Sequence, residues 1–216
     1  MHHAKSCCWN INGALWGAGL LLLWPAAGSA QLLDSLVGQG NGVPPALTGQ
    51  AAAVQATVFG VLGGTTLGLA NTGTLTSPTD ALAASQLTGD LLGALTAEVS
   101  QATTIGYPDQ VDSAASLANL ALSIAGNTIN ADFVSAEASA ILNGAGVGTS
   151  SLSNLSLNGV PVAVTGAPNQ TVGIPGGQMV INEQTASPGG IVVNALHVIV
   201  GGVADVAIGS AVASIQ

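Results

Sequence analysis

Few side chains in this sequence can carry chemistry. His2, His3, Lys5, Cys7 and Cys8 crowd its first residues, and Lys5 is the only Lys or Arg. Beyond residue 30 there remain one histidine, His197, and ten carboxylates, with no Lys, Arg or Cys. A zinc cluster built on imidazoles is therefore excluded there, and a Ser-His-Asp triad would have to use His197. That residue sits in Asn194-Ala-Leu-His-Val-Ile-Val200, an apolar strand context, so it reads as a hydrogen-bonded structural histidine. No Gly-x-Ser-x-Gly elbow is present, and a Cys or Lys nucleophile is excluded after residue 30. Paired acids can serve a glycosidase, but sugar sites usually add aromatic platforms, and only Phe59, Tyr107 and Phe133 are left to supply them. Asp109 and Asp112 flank a short loop after Tyr107-Pro108. They are the pair placed to hold a metal, and calcium, which takes oxygen ligands, is the ion they would suit. No Asp-x-Asp-x-Asp-Gly loop supports them, and no catalytic residue or other cofactor is expected.

The reactive N-terminus has the order of a secretion signal. Lys5 precedes an apolar run from Ala14 to Leu23, Trp24-Pro25 stops a helix, and Gly28-Ser29-Ala30 offers small residues for cleavage after Ala30. Asn10, Asn12 and Pro25 leave fewer than the roughly 20 apolar residues a spanning helix needs. The expectation is a signal peptide over 1–30, a secreted or cell-surface location, and no stable membrane insertion after cleavage. Every Trp and Cys and the only Lys lie in that signal.

The 186 residues that follow must be held by apolar burial and backbone hydrogen bonds, since neither Lys/Arg salt bridges nor disulfides can form. Their acidity opposes binding to phosphate backbones and anionic lipid, which excludes nucleic acid as a partner.

Leu32, Leu33, Leu36 and Val37 fall on one side of a short helix, and Gly38 to Pro45 reads as a linker, giving an N-terminal helix or arm over 31–50. From residue 51 to 216 short runs of Val, Ile, Leu, Thr and Ala alternate with Gly, Asn, Pro and Asp, the pattern of an antiparallel all-β domain. The expected fold is a β-sandwich of about ten to twelve strands. Alternation is clearest in Ile129 to Ser135, Val160 to Val164 and Gln178 to Gln184. Turns are expected at Gly126-Asn127, Asn158-Gly159, Gly176-Gly177, Pro188-Gly189-Gly190 and Gly201-Gly202, with Asn158-Gly159 suited to a type I′ hairpin. Residues 88–106 also admit a helical reading through Leu91, Leu92, Leu95, Glu98 and Val99, and are assigned as β. A weak echo relates Asn119 to Ser135 and Asn194 to Ser210, each spanning a turn and an Asp, so each is expected to be one hairpin.

Ala115-Ser-Leu-Ala-Asn-Leu120, Gly166-Ala-Pro-Asn-Gln-Thr171, Ile181-Asn-Glu-Gln184 and Val193-Asn-Ala-Leu-His197 resemble the choice-of-anchor P family of exported bacterial proteins. The resemblance covers roughly residues 50–215. It implies a secreted or cell-surface domain without an assigned activity.

These features point to a non-catalytic structural or surface-matrix protein. Sheet edges are commonly guarded by Lys, which is absent after residue 30. The expected partner is accordingly the chain itself, in an oligomer or polymer, or another cell-surface component. The alternative is an adhesin or ligand-binding module whose acidic loops hold a cation such as calcium.

Overall fold

The computed structural model describes residues 45–60 and 63–216. The signal peptide expected over 1–30, with its cleavage residue Ala30, and the 31–44 part of the expected arm lie outside the described residues. The described chain is all β: β1 (Leu47–Gly60), β2 (Gly63–Asn71), β3 (Ala81–Leu91), β4 (Leu95–Gly106), β5 (Gln110–Ile124), β6 (Asn127–Ile141) and β7 (Val147–Ser153) come first. They are followed by β8 (Ser156–Leu157), β9 (Val160–Pro161), β10 (Gln170–Ile174), β11 (Gly177–Ser187), β12 (Gly190–Val200) and β13 (Ala204–Ile215). β1 opens at Leu47, ahead of residue 51 where the β domain was expected to begin. Thirteen strands exceed the ten to twelve expected, because β8 and β9 are two-residue strands around one turn.

Two antiparallel sheets pack as a sandwich. One has the order β10-β11-β12-β13-β1-β2. The other runs β3-β4-β5-β6, with β6 continued by β7 along one half and by β8-β9 along the other. Large aliphatic side chains fill the space between them, including Leu75, Leu95, Leu117, Ile129, Met179, Leu196 and Ile208. Residues 88–106 form the β3–β4 hairpin, with a turn at Leu92-Gly93-Ala94 that splits the leucines counted in the helical pattern. The two echoed segments are indeed the β5–β6 and β12–β13 hairpins, one in each sheet.

Turn chemistry follows the backbone angles. Asn158 and Gly159 have φ of 50° and 77° between paired Leu157 and Val160, as a type I′ turn requires. The turns expected at Gly126-Asn127 and Gly176-Gly177 fall one residue earlier, at Ala125-Gly126 and Pro175-Gly176. In the first, Ala125 takes the left-handed position ahead of the glycine, at φ 49°.

The long strands change phase midway. In β5 the buried residues are Val111, Ser113, Ala115 and Leu117, then Leu120 and Leu122; in β13 Ala204, Val206 and Ile208 are buried, then, across buried Gly209 and Ser210, Ala211, Ala213 and Ile215. The slip coincides with left-handed residues inside strands: Asn119 at φ 49°, Gly209 at 59°, Asn182 at 51° and Val99 at 46°. Such a residue turns the following side chains to the other face and bends the strand. A side chain at Gly209 would press within 3.2 Å of Ala195 Cβ and 3.3 Å of Val134 Cγ1, so glycine serves both angle and space. The slip also corrects the alternation read in Ile129 to Ser135: Ile129, Ala131 and Val134 are buried, whereas Phe133 is exposed.

Polar pins cross the core. Thr104 Oγ1 and Ser113 Oγ lie 2.7 Å apart, and Ser113 Oγ donates to Val212 O of the facing sheet at 2.7 Å. Gly49 lies over this pair, where a Cβ would collide with Thr104 Oγ1.

Candidate functional site

His197 anchors a cluster of charged side chains. β12 holds it between β11 and β13, on the face turned away from the core, where it pairs with Val180 and Ala207. Nε2 lies 2.6 Å from Asp205 Oδ1, in hydrogen-bond geometry. Asp205 is opposite Ile199, so this contact is the diagonal one that long side chains make across an antiparallel pair. On the other side Nδ1 lies 2.8 Å from Glu183 Oε2. At that distance the carboxylate acts on the ring both as an acceptor and through its charge. Glu183 is fixed in turn by Asn194 Nδ2, which donates to Oε2 at 2.6 Å.

Burial of the ring opposes its charge. The two carboxylates outweigh that penalty and raise the pKa of His197 above its ordinary 6.5. An acid at each ring nitrogen stabilises the imidazolium relative to the neutral ring, and the contacts link three strands. Neither nitrogen is free to deprotonate a nucleophile, and because the two point in opposite directions the three side chains cannot converge on one metal ion. His197, expected to be hydrogen-bonded within an apolar strand, has two carboxylate partners, Glu183 and Asp205. Sequence reasoning missed them because one is diagonal across a hairpin and the other comes from a third strand. The signal available was the short distance from His197 and Asp205 to the shared Gly201-Gly202 turn.

Asp109 and Asp112 are placed differently. Asp109 is exposed in the β4–β5 loop, where its main-chain oxygen accepts from Leu142 N at 2.8 Å. Asp112 lies on β5, with both carboxylate oxygens 2.8 Å from Gln110 Nε2. Asp112 and Glu137 line a shallow groove of 250 Å³ on the outer face of the β3–β7 sheet. Among the described residues no group of three or more His, Asp or Glu side chains is placed to hold a metal.

The lateral margins of the sandwich form a second candidate site. β3 pairs with β4 in one register from Ala81↔Ile105 to Leu91↔Leu95, interrupted at Leu87 opposite the left-handed Val99, and among the described residues no strand pairs with its other side. Along it Leu87 is 77% exposed, and Lys, Arg and Pro are absent. The opposite margin is tied down by amides. Asn169 N donates to Asn182 O at 2.8 Å, Gln184 N to Asn169 Oδ1 at 2.9 Å, and Gln184 Nε2 to Gly148 O of β7 at 3.2 Å. Gln170 braces the loop before β10, accepting from Thr165 N at 2.8 Å and donating to Ala163 O at 2.7 Å.

No family model, curated protein or solved structure matches the chain.

Proposed function

We propose that this chain is a secreted, non-catalytic structural protein of a cell surface or extracellular matrix that associates with itself through sheet edges. The observation that carries the reading is β3, an eleven-residue edge strand without a bulge, proline or basic residue. An exposed strand of this kind offers a row of unpaired N–H and C=O groups to another strand, and natural proteins usually blunt it. The occupied nitrogens of His197 favour a structural over a catalytic use of the one histidine beyond the N-terminal segment. Export is supported by the order of charge, apolar run and small residues up to Ala30, and a surface role by the resemblance to choice-of-anchor P proteins.

Size-exclusion chromatography with negative-stain imaging of the exported form, with and without calcium, tests the reading. Association in either condition is expected. A strict monomer at high concentration in both would overturn it.

A further inference from the structure

The partner at β3 can be specified further, granting the self-association just proposed. Association through β3 has two choices, parallel or antiparallel, and charge separates them. Asp90 is the only ionisable residue of the strand. Parallel, in-register pairing would set the two Asp90 residues on neighbouring strands, about 4.8 Å apart, with no cation to offset them. Antiparallel pairing over the full strand places Gln86 opposite Gln86, Ser85 opposite Leu87, Ala84 opposite Thr88 and Asp90 opposite Leu82. The two Asp90 residues then stand eight positions apart, on the order of 27 Å at about 3.4 Å per residue. Asp90 is also turned to its own hairpin, where Oδ1 accepts from Gly93 N at 2.8 Å, so it does not press on the opposing leucine.

Closure is decided at the other margin. A head-to-tail fibre would need a free edge there to receive the next copy. There β10 has five residues, β9 two and β7 seven, and side-chain amides take up backbone groups beside them: Asn169 those of Gln184 on β11, Gln184 the carbonyl of Gly148 on β7, and Gln170 those of the loop before β10. The eleven-residue β3 is longer than each of these and than the nine-residue β2 that edges the other sheet, which suits an isologous contact, the same strand on both subunits.

We infer that β3 pairs antiparallel with β3 of a second copy across a two-fold axis at Gln86, and that assembly through edges stops at the dimer. Each subunit brings nine carboxylates and no Lys or Arg among its described residues, so the dimer is favoured by salt, which screens the repulsion.

Cysteine cross-linking of the full chain, in a Cys7→Ser, Cys8→Ser background, tests this directly. Under oxidation at high ionic strength, Gln86→Cys should yield a disulfide-linked dimer and nothing larger, while Thr171→Cys on β10 should stay unlinked. Linkage through position 171, or a native ladder of species beyond two, would preserve self-association and overturn the two-fold dimer. A native dimer that position 86 fails to link would overturn the register. A strict monomer, unlinked at either position, would overturn both this inference and the reading it rests on.

Discussion

The two lateral margins of the sandwich use the same polar vocabulary to opposite ends. On the β10 side, Asn169, Gln170, Asn182 and Gln184 spend their amides on backbone groups at the sheet margin and on each other. On the β3 side, Gln86 turns its amide to Thr88 O of its own strand at 3.1 Å and leaves the rest of the edge bare. A chain without Lys or Arg past its first residues has lost the usual means of guarding an edge. This one uses side-chain amides, several on one side and Gln86 alone on the other. The difference teaches that side-chain amides can guard one margin of a sandwich that lacks Lys and Arg while leaving most of another strand's edge uncovered.

Breaking the closed margin should have the largest effect. Asn169→Ala combined with Gln184→Ala removes several partly exposed hydrogen bonds, each worth about 0.5–1.5 kcal/mol. A loss of roughly 2–4 kcal/mol is expected in urea unfolding, with species beyond the dimer in sedimentation once that margin is free.

The His197 cluster lies on the strands that carry the closed margin inward, and its contribution should depend on pH. The folded-state pKa lies above the unfolded value of about 6.5. The stabilisation is therefore fully present below about 6.5 and is lost as pH rises through the folded value. Thermal melts on either side of that window, kept above the carboxylate range, should show the fall, and His197→Gln should abolish it. The expected size is no more than about 1 kcal/mol, since Asp205 is 45% exposed and solvent screens the pair.

Val99 sharpens the comparison on the open side. It is a β-branched residue at φ 46° on the strand that supports β3. Val99→Gly should relieve strain worth about 1 kcal/mol and raise the melting temperature without changing assembly. Smallest of all, Leu87→Lys should alter monomer stability by no more than about 0.5 kcal/mol while shifting the assembly to monomer in sedimentation.

The sandwich was legible because Asn-Gly, Pro-Gly and Gly-Gly pairs punctuate short β-branched runs, and these dictate hairpins whatever the core does. Where a type I′ turn recruits an alanine, as at Ala125, the turn slides by a residue that the glycine alone does not reveal. The phase slips were not legible. Ala and Ser suit either face, so only a large residue such as Phe133 records the change, and its outward position runs against its hydrophobicity. The strand that carries His197 was legible from its apolar neighbours, but the partners of the ring were not, because a diagonal contact and a third strand are facts of register. Edge openness depends on strand order, which no local pattern encodes.

Amide hydrogen exchange of the full chain at low and high concentration, in high salt, tests the central claim most directly. The account predicts that residues 81–91 become protected as concentration rises, while β7 and β10 exchange at unchanged rates. Unchanged exchange throughout β3, or new protection confined to β7 and β10, would contradict it.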